Sequence, residues 1–210
     1  MRIGGLLLAA LLMRAEIVDR IAASIGSHVI TESEVLEEIH VTAFQDGSPV
    51  DAGAEQKRQA LERLVDQELM RKEIVFTRFP FPSESDMKPL YAQVRDRFPD
   101  QDAYNAELRK YGLTDGDVRQ HLQWQVMMLR FIEYRFQPSV QVSDADIANE
   151  YRDFAAKWRE SKHSEPPPLE QVHDDIEKLV RQRLIDSALD RWLGEVRTQN
   201  SIIYRKGYEP

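Results

Sequence analysis

The chain of 210 residues contains no cysteine. It therefore has no disulfide framework, no thiol nucleophile and no thiolate metal site. After residue 15, no apolar run approaches the roughly 20 residues that a membrane-spanning helix needs, and there is no glycine-rich phosphate loop. We therefore expect a protein without stable membrane insertion that performs neither thiol chemistry nor P-loop nucleotide chemistry.

Basic residues are too few for a nucleic-acid-binding surface. Lysine and arginine number 28 against 36 aspartates and glutamates, so the formal net charge is −8. A protein that binds nucleic acid neutralises phosphates with a basic face. The acidic balance predicts that neither nucleic acid nor an anionic lipid surface is a main partner.

Catalytic constellations are scarce as well. The five histidines form no HExxH motif, and pairs at the helical i,i+4 spacing, such as His173 with Glu177, supply only two candidate ligands each. A zinc site needs three or four converging ligands, and no serine has the context of a nucleophile elbow. We interpret adjacent acids such as Glu37 and Glu38 as a solvated helix face. The sequence thus predicts no metal ion, no cofactor and no catalytic residue, and we expect a protein that is not an enzyme.

Residues 1–15 have the pattern of a secretory signal peptide. Arg2 precedes an apolar run over residues 3–13, which is too short for a spanning helix and matches the roughly 7–15 residues of a signal-peptide core. Cleavage after Ala15 would remove two arginines, Arg2 and Arg14, and leave a net charge of −10. We therefore expect a periplasmic or otherwise exported protein. The alternatives are an uncleaved apolar arm and a misplaced start codon.

The next stretch predicts a β-hairpin that leads into a helix. Alternating apolar residues over 21–25 indicate a short strand. Gly26 opens a tight turn, because glycine tolerates the positive φ that such turns require, and residues 29–30 form the return strand. Thr31 and Glu34 then have the spacing of a capping box, in which each side chain bonds the other residue's backbone N–H.

Most of the remaining chain predicts helices that are separated by proline or glycine breaks. We expect Ser85 to cap the third helix, with Pro89 in its first turn, where a missing N–H costs little. The fifth helix is apolar on nearly all sides at its centre, which is typical of a buried element. The expected helices cover residues of about 32–44, 54–78, 85–97, 101–111, 115–136, 143–160 and 169–199.

The chain closes with an apolar triplet, Ile-Ile-Tyr at residues 202–204, that predicts a final strand. Because a lone hairpin is marginally stable in water, we expect this strand to pair with the hairpin at residues 21–30. The predicted fold class is therefore mostly α, with a small β-sheet formed by the N-terminal hairpin and the C-terminal strand. We expect residues 16–210 to form a single domain.

Three of these segments, in this order, resemble a known family. The hairpin and capped helix start at 19–39 come first, followed by LRKYGLTDGDVR at 108–119 and, after a long helix, VQVSDADIANEY at 140–151. This arrangement resembles the SurA-type periplasmic chaperones, a family that includes the PrsA-like foldases. The resemblance covers most of residues 17–155, and its matching positions are Gly112, Leu113, Thr114, Val142, Ser143, Asp144, Asp146, Ile147 and Tyr151.

The chain departs from that family where a parvulin-type prolyl isomerase domain normally follows. Residues 161–168, SKHSEPPP, occupy this place, and residue 169 already opens the returning helix. A parvulin domain with its own sheet is far longer than this link. The resemblance therefore implies a helical chaperone core, similar to the SurA N-domain, from which the isomerase domain is absent.

The resemblance also implies a function, which is to hold unfolded or partly folded exported and outer-membrane polypeptides without ATP. Phe76, Phe79 and Phe81 surround a proline-broken segment and are the best candidates for exposed binding groups. Phe131 and Tyr134 are candidates for the same polypeptide-binding surface, although the segment from Met127 to Phe131 also suits a core. Two alternatives remain open. One is a subunit dedicated to a single partner or to self-association as a homodimer, and the other is a prolyl isomerase.

Overall fold

A computed structural model of the protein describes residues 19–209, so the predicted signal peptide at 1–15 lies outside the described part of the chain. The described residues form a mostly helical structure with one small sheet. The strands are β1 (Ile21–Ile25), β2 (His28–Thr31) and β3 (Ile202–Tyr204). The helices are α1 (Glu32–Asp46), α2 (Ala54–Phe76), α3 (Glu84–Arg95), α4 (Gln101–Lys110), α5 (Asp115–Phe136), α6 (Asp144–Lys162) and α7 (Leu169–Gln199), with a short 3₁₀ turn at Gln137–Ser139.

The two ends of the described chain meet in the sheet, as the sequence predicts. β1 lies in the centre and pairs antiparallel with both β2 and β3. Ile25 is opposite Ile202, and Ala23 is opposite Tyr204. Gly26 adopts the positive φ of the hairpin turn, at 61°, and its N–H donates to the Ser201 carbonyl over 3.1 Å. The predicted C-terminal strand is therefore confirmed, and it closes the hairpin into a three-stranded sheet.

Reciprocal side-chain caps begin several helices. At α1 the amide of Glu34 donates to the Thr31 hydroxyl over 3.3 Å, while the Thr31 amide donates to the Glu34 carboxylate over 2.7 Å. The same arrangement begins α5 at Thr114 and α6 at Ser143. Because each box satisfies two otherwise unpaired N–H groups, it sets the residue at which its helix begins.

The start of α3 differs from the prediction. Ser83, not Ser85, is the N-cap, and its capping box uses Asp86. Ser83 has an acid three residues later, as a capping box requires, whereas Ser85 has Lys88 there. Pro89 consequently lies in the body of the helix, where it cannot donate a hydrogen bond to the preceding turn. Asp86 also pairs with Arg130 over 2.7 Å, which fastens α3 to α5.

The start of α5 is fixed by a partly buried polar cluster. Asp115 accepts hydrogen bonds from the hydroxyls of Tyr91 and Tyr104, over 2.6 and 2.9 Å, and from Arg119 over 2.6 Å. Burial raises the pKa of the Asp115 carboxyl, but the three donors together bring that pKa below its usual value. Since Tyr104 is fully buried, this cluster ties α3 and α4 to the first turn of α5.

α5 is not buried all round. Its fully or nearly fully buried residues include Leu122, Met127 and Phe131, whereas Leu129 is 62% exposed and Tyr134 is 64% exposed. The sequence could not distinguish the exposed from the buried apolar residues of α5, because both kinds have the same apolar composition. The helix therefore presents apolar side chains to solvent as well as to the core.

The link between α6 and α7 is short, as predicted. α6 ends at Lys162, and Pro168 is already the N-cap of α7. The Tyr151 hydroxyl donates to the Pro167 carbonyl over 2.8 Å. α6 and the first half of α7 pack around a small core that contains Ile147, Ile176 and Val180. No helix within residues 19–209 is long and apolar enough to cross a membrane.

Candidate polypeptide-binding surface

One face of α5 carries a row of large apolar side chains. Trp124, Met127, Phe131 and Tyr134 are three or four residues apart, which places them on the same side of a helix. Met127 and Phe131 are fully buried, Trp124 is partly buried, and Tyr134 is exposed. The row therefore runs from the interior to solvent along one helix.

Phe79 packs against the two C-terminal members of this row. Its ring lies edge-on to Phe131, with centroids 5.7 Å apart, and tilted against Tyr134 at 5.2 Å. The chain reaches this position because α2 ends at Phe76 and Arg78 adopts a left-handed φ of 54°. The Phe-Pro-Phe-Pro segment that follows cannot continue the helix.

The structure separates the five predicted binding residues into two groups. Phe76, Phe81 and Tyr134 are 84%, 66% and 64% exposed, respectively, and Phe79 is half-buried. Phe131 is fully buried, so its proposed place on the binding surface is wrong. It lies beneath Phe79 and belongs to the core. We refer below to Phe76, Phe79, Phe81 and Tyr134 as the aromatic surface.

A groove lies beside the aromatic surface, between α1, α2 and α5, with a volume of about 290 Å³. Phe81 lines it and thus joins the two features. The other apolar lining residues are Val41, Leu64, Trp124 and Met127. The polar and charged lining residues are Glu34, Glu37, Glu38, Gln67, Arg71, Asp117, Gln120, His121 and Gln123. No local sequence pattern predicts this groove, because it forms only where three helices that are separate in sequence come together.

The acidic side of the groove contains one buried carboxylate. Glu38 is 7% exposed, which corrects its interpretation as part of a solvated helix face. It pairs with Arg63 over 3.1 Å and lies 3.7 Å from His121. Burial lowers the pKa of the His121 imidazole, Glu38 opposes that effect, and Arg63 adds to it. The imidazole therefore favours its neutral form more than a free histidine does.

Glu37 has a different environment from its neighbour. Although the residue is exposed, partial desolvation raises the pKa of its carboxyl, and the nearby carboxylates of Asp117, Glu34 and Glu38 raise it further. Within residues 19–209 its carboxylate has no ion-pair partner. The ionised carboxylate of Glu37 is therefore destabilised by the other carboxylates of the groove.

Arg71 lies over the indole of Trp124, with its guanidinium carbon 4.5 Å from the ring centroid. It also pairs with the buried carboxylate of Glu68 over 3.5 Å. The indole Nε1 of Trp124 is buried and has no hydrogen-bond partner in the described part of the chain. The face of this indole therefore already accommodates a cation.

Residues 19–209 contain no group of three histidine, aspartate or glutamate side chains arranged to hold a metal ion. No protein-family model matches the sequence, and comparison with curated proteins gives no match either. What the aromatic surface and the groove bind is therefore inferred from their chemistry.

Proposed function

We propose that the protein is an ATP-independent chaperone that holds unfolded or partly folded exported polypeptides. The observation that carries this proposal is that Phe76, Phe81 and Tyr134 are 64–84% exposed. Phe76 and Phe81 lie at the end of α2 and in the proline-containing segment that follows it, and Tyr134 lies on α5. Single exposed apolar residues are common on soluble proteins. Here, however, Tyr134 packs on half-buried Phe79, and Phe81 lines the groove together with Trp124 and Met127, so these two exposed rings adjoin other apolar groups.

The sequence resemblance supports the same proposal. The segments at 19–39, 108–119 and 140–151 resemble those of the SurA-type chaperones in order and spacing. The short link between α6 and α7 fits a chaperone core without an isomerase domain. The predicted signal peptide supports an exported location.

The proposed mechanism is weak binding at several points. An unfolded client exposes apolar side chains, and each aromatic contact contributes about 0.5–1.5 kcal/mol beyond the area that it buries. A protein that binds unfolded chains lowers their free concentration and so competes with aggregation. The net charge of −8 keeps the complex soluble through repulsion between complexes. Release needs no ATP, because each contact is individually weak.

A dedicated partner or self-association would use the same exposed residues, so the range of clients decides between these functions. Two unrelated, chemically unfolded proteins are diluted into buffer with and without the protein, and their aggregation is followed by light scattering. A chaperone of this kind suppresses aggregation of both. Suppression of neither, with a stable dimer by analytical ultracentrifugation, would instead identify self-association.

The matched variants test the aromatic surface itself. Replacing Phe76, Phe81 and Tyr134 by serine should abolish most of the suppression. The control replaces two exposed apolar residues elsewhere, Val50 and Leu179, and should leave it intact. Equal suppression by both variants would remove the support for this surface. Clear acceleration of proline isomerisation in a tetrapeptide assay would overturn the proposed absence of an isomerase activity.

A further inference from the structure

We propose that the groove between α1, α2 and α5 selects a client segment in which a lysine or arginine is adjacent to a large apolar residue. This inference rests on the proposed function and names the class of segment that its site prefers. The observation behind it is that apolar side chains and carboxylates line the same groove.

The apolar part of the groove suits a large aliphatic or aromatic side chain. Phe81 is exposed, Trp124 is partly buried and Met127 forms the base. Methionine and aromatic groups adapt to varied apolar partners. A volume of about 290 Å³ is just below the roughly 300–1,000 Å³ that is usual for small-molecule pockets. The groove therefore fits one or two side chains of an extended segment and not a folded domain.

Carboxylates outnumber cationic side chains in the lining of the groove. Four carboxylates, those of Glu34, Glu37, Glu38 and Asp117, line the groove together with a single guanidinium, that of Arg71. Arg71 is already paired with Glu68, outside the groove lining.

The four carboxylates differ in how they are used. Glu34 and Asp117 accept hydrogen bonds within their capping boxes, and Glu38 pairs with Arg63. Of the four, only Glu38 has a cationic partner among residues 19–209. Glu37 takes no part in a capping box and is surrounded by like charge. An arriving lysine or arginine would provide the missing counter-charge while its apolar neighbour enters the groove.

The test uses Trp124 as a reporter. The chain has three tryptophans, so the double variant W158F/W192F leaves Trp124 as the only indole. Two tryptophan-free peptides share a central Leu-Phe pair and differ only in flanking lysine or glutamate. Each is titrated into the double variant and followed by the emission of Trp124. Anisotropy of the labelled peptides with the unaltered chain provides a second measurement that does not depend on the substitutions.

The lysine peptide should bind about fivefold more tightly than the glutamate peptide, the effect expected of one partly exposed ion pair. Raising the salt to about 0.5 M should remove most of that preference, because screening weakens such pairs. Glu37→Gln should also remove it. The control Glu160→Gln, which alters an exposed carboxylate on α6, should preserve it.

Equal affinity for the two peptides, or an unchanged preference in Glu37→Gln, would overturn this inference. If aggregation of unfolded proteins is still suppressed in that case, only the charge selection fails and the proposed function stands. If neither peptide binds and aggregation is not suppressed, both fail. A stable dimer that neither peptide dissociates would assign the groove to a second copy of the chain and would also overturn the inference.

Discussion

Arg197, close to the end of α7, lies 2.7 Å from the carboxylate of Glu62 on α2. The same guanidinium lies 2.7 Å from Asp66, one turn further along α2. Burial raises the pKa of the Asp66 carboxyl although Arg197 opposes that effect. The three side chains hold the returning helix against α2 beside the sheet.

Replacing Arg197 by alanine should lower the free energy of unfolding by about 2 kcal/mol, because hydrogen bonds to charged groups are lost and two half-buried carboxylates lose their counter-charge. Lysine should restore only part of this loss, since it cannot form the planar fork that contacts two carboxylates. Urea unfolding measures both changes. Arg191→Ala on the exposed side of α7 is the control and should change stability by less than about 0.5 kcal/mol.

His121 should make the protein less stable as the pH falls below about 6.5, the pKa of a free histidine. Its pKa is lowered by burial, so the unfolded chain binds a proton in this range before the folded protein does. Stability is therefore lost with falling pH. Comparing urea unfolding of the wild type and His121→Gln from pH 7.5 to 5 isolates this effect, which should shrink in the variant. Parallel curves for the two proteins would contradict the assigned burial effect.

Glu37 should show the opposite behaviour. Its raised pKa means that the folded protein binds a proton more readily than the unfolded chain, so ionisation of Glu37 opposes folding as the pH rises through its folded pKa. Glu37→Gln should therefore be more stable than the wild type at pH 7. The difference should vanish below about pH 4.3, the usual glutamate value. A variant that is less stable at pH 7 would show that Glu37 has a partner in solution.

Substitutions at Phe131 and Tyr134, which lie only three residues apart on α5, should have different effects. One should lower the free energy of unfolding, and the other should weaken client binding. Phe131→Ala removes a fully buried ring and should cost about 3–5 kcal/mol in unfolding free energy. Tyr134→Ser removes an exposed ring, so it should cost far less stability while weakening the suppression of aggregation. Chemical unfolding and light scattering on the same preparations check the pair. A large stability loss for Tyr134→Ser would place its ring in the core.

The sequence allowed correct prediction wherever the signal was local. Capping boxes at Thr31 and Ser143 need only two residues at a fixed spacing, and both formed as expected. The same rule, applied to Ser83 and Asp86, would have placed the start of α3 correctly. The C-terminal strand was predictable because an isolated apolar triplet at the end of a helical chain needs a partner.

The binding region was only partly predictable, because exposure depends on neighbours distant in sequence. Phe131 and Tyr134 have similar sequence surroundings, yet Phe131 packs in a core cluster with Ile74 and Met127, whereas Tyr134 remains exposed although it also contacts Phe79. The burial of Glu38 depends on Arg63 and His121, from two other helices. Helical periodicity identifies the face of one helix but not what will cover it.

The pairing of β1 with β3 determines when the sheet can form during synthesis of the chain. β1 lies in the centre of the sheet, yet its second partner, residues 202–204, follows it at a long distance along the chain and is therefore synthesised much later. Until that segment arrives, one edge of β1 has unpaired backbone groups that can recruit a foreign strand. A chain that stops before β3 would therefore be open to aggregation through the same edge that the intact chain closes on itself.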